Sequence, residues 1–338
     1  MTSPTDADQT MQQSLQRFRN RMAAANRKFI QDRIDEIEAR GLATERQKWR
    51  KMVEYRHFDM PDENEDLPKR LVDLPTVVDT DPFAMDGVHP PRLRTEKARE
   101  IILDTLQQVF QRQAEKWAAE QGKDTPGLIP RCDELGMFLK YAHAVEDPDF
   151  RLSSIPPFEA GLWVMGADEA ELVETQPERY YERVRAECER VRENLEDDDG
   201  IGDLINKSMV APRIEGSDLE VKAGVITGTG YIDEYPHWFS AYLYCRQRVD
   251  ADEGNDTISD APNIQDWAWR VVVVDSEPDI LNPTVMYGRR PQFDSIPEFL
   301  DWYCSWPDHL DTRGILSLRR HAIQCETDCE SDCEYHHH

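Results

Sequence analysis

Apolar residues recur four and three positions apart near the start of the chain, and this spacing predicts an amphipathic helical arm over residues 11–57. The seam of the arm consists of Met11, Leu15, Phe18, Met22, Ala25 and Phe29. After Phe29 the pattern shifts by one position to Ile30 and continues through Ile34 and Ile37. Such a seam pairs either with a second chain, which would make the arm a self-association element, or with the body of its own chain. Residues 1–10 are polar and are expected to be disordered.

Local signals divide the arm and mark its end. Gly41 stands where a helix commonly ends, and Thr44 with Gln47 has the spacing of a capping box for a second helix. Residues 58–94 contain six prolines and many aspartates, which no continuous helix tolerates. This segment is therefore predicted to be an extended, proline-rich linker that lies along the following domain.

Beyond the linker, residues 95–323 are predicted to form one α+β domain, followed by an acidic tail at 324–338. Amphipathic helices are expected at 95–121, 131–143, about 175–195 and from Ser295, with a last one near 312–323. Strands rich in aromatic and β-branched residues are expected at 161–166, 219–228, 237–245, 267–275 and 284–290. No helical crossover fits between the later strands, so the class is α+β with a mostly antiparallel sheet of four to five strands and flanking helices.

Composition limits the partners of the chain. The 338 residues carry a formal net charge of −27, which argues against nucleic-acid and anionic-membrane binding and favours a basic protein partner. The polar start has no signal-peptide pattern, and no apolar run approaches the roughly 18 residues of a membrane span. These features predict a cytoplasmic protein and leave the nucleus open. No cofactor motif is present, so no cofactor is expected.

The acidic tail holds the most conspicuous candidate for metal chemistry. Cys325, Cys329 and Cys333 are spaced four apart, and three histidines follow them. Zinc sites commonly combine two Cys/His pairs around a packed turn, whereas this strip has no second pair and five interleaved acids. A solvated tail is therefore favoured over a zinc site. Redox sensing is disfavoured because neighbouring acids raise a thiol pKa.

A second candidate is the glycine-rich stretch over residues 224–238. Its spacing fails the dinucleotide fingerprint, and a wide turn between two strands explains the glycines. Asp233, Glu234 and His237 are weak candidates for general acid–base catalysis, since no nucleophile stands beside them.

Aromatic residues crowd two predicted strands. Trp267 and Trp269 alternate along one strand, and Trp238 and Tyr242 lie on its neighbour. Such residues either pack a sheet on helices or line a groove that binds a peptide. Core packing is the favoured interpretation, and peptide binding stays as the alternative.

The order of these elements over about 95–311 resembles the SMI1/KNR4 (SUKH) superfamily. The segment LIPRCDELGMFLKYAHAV at 128–145 is similar to the opening helix of that family, and GLWVMG at 161–166 is similar to its tryptophan-bearing strand. AYLYC and WRVVVVD match its meander, and Ser295, Phe299 and Leu300 match the start of its closing helix. The usual Asn-Gly turn is replaced by Ala-Val-Glu, and a helical segment around 168–199 is additional. The resemblance implies a non-catalytic binding domain, with fungal relatives implicated in cell-wall and signalling regulation and bacterial ones in toxin immunity.

These observations favour an intracellular interaction or regulatory protein without catalytic activity, in which the arm docks a partner or self-associates. The alternative is an enzyme of unrecognised family, for example a hydrolase, with its site near Asp233 and His237.

Overall fold

The computed structural model describes residues 4–53, 67–77, 85–120, 122, 127–146, 158–159, 169–196, 219–232, 237–248, 267–276, 284–285 and 293–305. The α-helices in these ranges are α1 (Pro4–Ala39), α2 (Glu45–Val53), α3 (Glu96–Glu120), α4 (Asp133–Tyr141), α5 (Glu169–Thr175), α6 (Pro177–Glu196) and α7 (Ile296–Tyr303). The strands are β1 (Ala144–Val145), β2 (Phe158–Glu159), β3 (Leu219–Ile232), β4 (His237–Arg248), β5 (Trp267–Ser276) and β6 (Thr284–Val285). A 3₁₀ helix spans Leu71–Thr76.

The first helix begins at Pro4, so residues 4–10 are helical where disorder was expected. Asp8 supplies the physical reason, because its carboxylate binds α4. Oδ1 lies 3.0 Å from Nζ of Lys140, and the hydroxyl of Tyr141 donates to Oδ2 at 2.8 Å. A polar sequence therefore gains helical order through a tertiary anchor that lies more than 130 residues away along the chain.

The one-position shift in the α1 seam marks a change of packing partner. Before the shift, Met11, Leu15, Phe18 and Met22 are buried in the main core of the chain. After it, Ile30, Ile34 and Ile37 face a second apolar cluster. That cluster also holds Trp49 and Met52 from α2, Leu67, Met85, and Leu71 and Leu74 from the 3₁₀ helix.

The predicted helix signals around α2 are confirmed. Gly41 has a φ of +64°, the left-handed conformation that glycine adopts at a helix end. The amide of Gln47 donates to Oγ1 of Thr44 at 3.3 Å, and the amide of Thr44 donates to Oε1 of Gln47 at 3.2 Å. Within the predicted linker, residues 71–76 are helical rather than extended, because burial of Leu71 and Leu74 against α1 and α2 favours a compact turn.

The main core is formed by helices that pack on one sheet. α3 lies against α6, α4 and β3, and α1 lies against α7 and α4. The buried side chains at these contacts include Phe110, Phe138, Tyr180, Phe299 and Tyr303. The capping signal for α7 is confirmed, since the amide of Glu298 donates to Oγ of Ser295 at 3.1 Å.

The strands β3, β4, β5 and β6 pair antiparallel in chain order. Alternate positions Ala223, Val225, Leu243, Cys245, Val271 and Val273 face the main core. The structure thus combines helices with a small antiparallel sheet, as the α+β class requires. The predicted strand at 161–166 and the predicted helix at 312–323 lie outside the described residues.

No helix within the described ranges is long and apolar enough to cross a membrane.

Candidate functional site

Of the weak catalytic candidates, His237 is the one that the structure describes. β3 ends at Ile232 and β4 begins at His237, which pairs with Ile232 across the hairpin. Asp233 and Glu234 lie outside the described residues. The hydrolase hypothesis at this hairpin therefore stays a prediction.

The predicted strand at 219–228 is confirmed and extends to Ile232, so the turn predicted for the glycine-rich stretch begins later than expected. β3 continues through Gly224, Gly228 and Gly230, and its register shifts between Ile226 and Gly228. Glycine is tolerated at such an irregularity and where another group approaches the backbone. Both conditions hold here, because the amide of Gly224 donates a hydrogen bond to Oε1 of Gln113 on α3 at 3.2 Å.

Among the aromatic candidates, Trp269 is a packing residue. Its indole N–H donates to the carbonyl of Pro130 at 2.8 Å, and its ring lies 4.9 Å from that of Phe110 on α3. A buried indole normally satisfies its N–H in this way. Trp269 therefore ties the sheet to the helices, which is the favoured alternative of the sequence analysis.

The other three aromatic candidates are placed by strand register. Trp238 pairs with Ser276, Tyr242 pairs with Val272, and Trp267 pairs with Gln247. Since positions alternate between faces, positions 238 and 242 lie on the sheet face opposite to position 269. A single aromatic groove made from all four positions does not fit this register.

The apolar residues of the arm pack against the body of their own chain, which is the second of the two predicted alternatives. Leu15, Phe18 and Met22 are 4%, 0% and 0% exposed, and Phe29 packs at the edge of the second cluster. The ring of Phe18 meets that of Tyr303 on α7 edge-to-face, with centroids 5.3 Å apart. The apolar seam is thus covered by the chain itself.

The metal candidates Cys325, Cys329 and Cys333 lie outside the described residues. Within the part of the chain that the structure describes, no group of three or more His, Cys, Asp or Glu residues is placed to hold a metal ion. The cysteines in these ranges are buried and form no disulfide with one another, and burial raises the pKa of the thiols of Cys132, Cys188 and Cys304.

Sequence reasoning missed a shallow groove on the outward side of α1. The groove has a volume of about 350 Å³ and is lined by Gln16, Arg19, Asn20, Ala23, Arg27 and Asp86. Nε of Arg19 lies 3.9 Å from Oδ2 of Asp86, which is too long for a hydrogen bond. The groove therefore presents guanidinium and amide groups with one carboxylate on its wall. The basic spacing along the helix was visible in the sequence, but the opposing wall was not.

A second missed feature is a pair of histidine–carboxylate contacts beside β1 and β2. Nε2 of His89 lies 2.6 Å from Oε1 of Glu146, and Nε2 of His143 lies 3.0 Å from Oε1 of Glu159. The His89 contact raises the pKa of that imidazole, and the His143 contact lowers the pKa of the Glu159 carboxyl. His89 fell within the predicted linker, so no sequence signal connected it with Glu146.

The two histidines of this cluster differ in exposure. The side chain of His143 is 2% exposed, and its Nδ1 is buried with no hydrogen-bond partner among the described residues. His89 and Glu146 are each 43% exposed. A general base also needs a reacting group within hydrogen-bond distance, and the exposed pair is better placed to hold segments together than to reach one.

Comparison with protein-family models, curated proteins and solved structures finds no match to this chain. The resemblance to the SUKH superfamily stays a prediction.

Proposed function

We propose that this chain is a non-catalytic protein-interaction protein with a regulatory role, and that the outward face of α1 is its docking surface. One observation carries the proposal. The apolar face of α1 is covered by the chain itself, with Phe18 fully buried, while the opposite face is exposed and, over residues 9–31, basic. A helix that is held rigidly and presents a stretch of basic side chains is suited to bind a partner of opposite charge.

The basic character of this face is local. Residues 9–31 contain five basic residues and no acidic residue, in a chain of net charge −27. Arg19 and Arg27 line the groove, and Arg17 is held by Asp301 of α7. Arginine forms planar, bidentate contacts with carboxylates, so an acidic peptide segment of a partner protein is the proposed occupant.

The electrostatic fit between two proteins depends on the charges at their contact surface and not on the net charge of either chain. The basic partner predicted from the value of −27 therefore does not suit the α1 face. It stays a prediction for the acidic remainder of the chain.

Other features support a binding role. The resemblance to the SUKH superfamily implies a non-catalytic binding domain. We propose that the sheet of this domain has four to five strands, as the sequence predicts. Within the described ranges, four buried cysteines form no disulfide, which supports a reducing compartment such as the cytoplasm.

A labelled acidic peptide tests the docking surface. The probe is a fluorescein-labelled peptide of alternating Glu and Ser, titrated with the full chain and followed by fluorescence anisotropy. We expect binding that the double variant Arg19→Gln/Arg27→Gln weakens about tenfold, because two charge-assisted contacts are lost. The matched control is Arg183→Gln/Arg185→Gln on the exposed side of α6, which removes the same charge elsewhere.

Equal weakening by both double variants would show nonspecific attraction and contradict the proposal, as would the absence of binding to wild type. The same titration is repeated with residues 324–338 deleted. Tighter binding after the deletion would make the acidic tail of this chain the occupant in place of a partner.

A further inference from the structure

The groove wall that carries Asp86 belongs to a short segment, Met85–His89, that is fastened on two sides. On the α1 side, Nδ2 of Asn26 donates to the carbonyl of Met85 at 3.0 Å, and Asn26 is fully buried. The amide of Val88 donates to Oδ1 of Asp86 at 3.0 Å, which fixes the carboxylate at the groove. The position of Asp86 therefore depends on the segment as a whole.

On its other side the segment pairs with β1. The amide of His89 donates to the carbonyl of Ala144 at 2.9 Å, and the amide of His143 donates to the carbonyl of His89 at 3.0 Å. The amide of Glu146 donates to the carbonyl of Gly87 at 2.8 Å. These bonds place residues 87–89 alongside β1 as a neighbouring strand, with Val88 bridging to Val145.

The side-chain pair His89–Glu146 closes this edge at the surface. The charged groups that act on His89 are Glu146, Glu159 and Arg92, and Glu159 is itself bonded to His143. Two carboxylates therefore favour the imidazolium form of His89, while Arg92 opposes it. Among the described hydrogen bonds between the Met85–His89 segment and residues 143–146, the His89–Glu146 bond is the one that joins two ionisable side chains.

We propose that His89 and Glu146 form a pH-sensitive clip that holds the Met85–His89 segment on β1 and thereby fixes the Asp86 wall of the α1 groove. The effect on the groove rests on the proposed docking function. The clip itself rests only on the contacts above.

The direction of the pH effect follows from the pKa of His89. The hydrogen bond to Glu146 raises this pKa above the ordinary value of 6.5, although burial opposes the shift. The clip therefore contributes fully below pH 6.5 and is lost as pH rises through the raised pKa, where the imidazole loses its charge.

Hydrogen exchange of backbone amides tests the clip without a binding partner. Exchange at residues 87–89 and 144–146 is measured from pH 5.5 to 8.5 and corrected for the intrinsic rate. We expect the equilibrium constant for local opening to rise about threefold across this pH range in wild type, which corresponds to the free energy of an exposed ion pair. His89→Gln and Glu146→Gln should give the higher opening at every pH. The control Glu171→Gln changes an exposed carboxylate of α5 and should behave as wild type.

Opening that is independent of pH in wild type would overturn the clip, and so would an unchanged pH response in His89→Gln. Titration of the acidic peptide at pH 6 and pH 8 then tests the link to the groove. A change in affinity that is present in wild type and absent in His89→Gln supports the link, and an equal change in both contradicts it. Failure of the peptide to bind at all would count against the docking surface and leave the exchange result standing.

Discussion

Glu134, in the first turn of α4, shows how one side chain joins distant parts of this chain. Its Oε2 accepts a hydrogen bond from the amide of Ile296 at 2.7 Å, which satisfies a free donor at the start of α7. Burial raises the pKa of this carboxyl to about 7, although the Ile296 hydrogen bond and the charge of Arg270 act in the opposite direction. The carboxyl is thus protonated in the folded state at a pH where it is ionised in the unfolded chain.

Replacing Glu134 by glutamine should remove a pH dependence of stability. A folded pKa of about 7 against the ordinary 4.5 means that stability is full below pH 4.5, falls as pH rises to 7, and is then lower by about 3 kcal/mol. Glu134→Gln keeps an acceptor for Ile296, so its unfolding free energy should exceed that of wild type at pH 8. Urea unfolding at pH 4.5, 6 and 8 measures the difference. A wild-type profile in Glu134→Gln would contradict the assignment, and Glu182→Gln on the exposed side of α6 is the control.

At this scale the sequence predicted elements but few partners. The apolar spacing of Leu135, Phe138 and Leu139 predicted α4, and all three are buried. Nothing in the sequence connected Glu134 with Ile296, because 162 positions separate them. The local sequence pattern shows on which face of a helix a side chain lies. The group that this side chain contacts depends on how distant elements pack together.

At the scale of elements, α1 is part of the folded body. Besides its buried seam, Oγ of Ser14 donates to the carbonyl of Pro297 at 3.0 Å, and Arg17 binds Asp301 through both carboxylate oxygens at 3.0 and 2.7 Å. Deletion of residues 1–56 would expose both apolar clusters, so it would destabilise the chain instead of removing a separate docking arm.

Shortening Phe18 should measure how strongly α1 is built into the core. Phe18→Ala removes a fully buried ring and is expected to lower the unfolding free energy by about 3–5 kcal/mol. Phe29→Ala should cost clearly less, since Phe29 lies at the edge of the second cluster. Chemical denaturation of both variants checks the order. Equal and small losses would indicate an arm that does not pack on the domain.

The sequence predicted the ends of elements better than their interiors. Helix caps depend on a few adjacent side chains, so Thr44 with Gln47 and Ser295 with Glu298 were recognisable. The continuation of β3 beyond residue 228 was not recognisable, and neither was the contact of Gly224 with Gln113, 111 positions away.

At the scale of the whole molecule, α1, α4 and α7 share one apolar core. The ring of Phe299 on α7 lies 5.4 Å from Phe158 and 5.6 Å from Tyr303, which in turn contacts Phe18. The prolines of residues 58–94 suggested a boundary between arm and domain. A high density of prolines shows where helices end, but it gives no information on which surfaces pack together.

A mild change in α7 should therefore loosen α1. Phe299→Leu is expected to lower stability by about 1 kcal/mol, which corresponds to about fivefold faster exchange wherever exchange requires unfolding of the body. Amides of residues 11–22 in α1 and 135–139 in α4 should accelerate by the same factor. Acceleration confined to α7 would show that the shared core does not unfold as a unit. Val72→Ala, at a side chain that is 36% exposed, is the control.

The distance between Ser14 and Pro297 along the chain has a consequence for biosynthesis. The ribosome releases α1 long before α7, because 283 positions separate these two contacts. During that interval the apolar side chains of Met11, Leu15 and Phe18 are not yet covered by α7 and can contact other nascent proteins. The chain is thus expected to need a chaperone that shields its first helix until translation has passed α7.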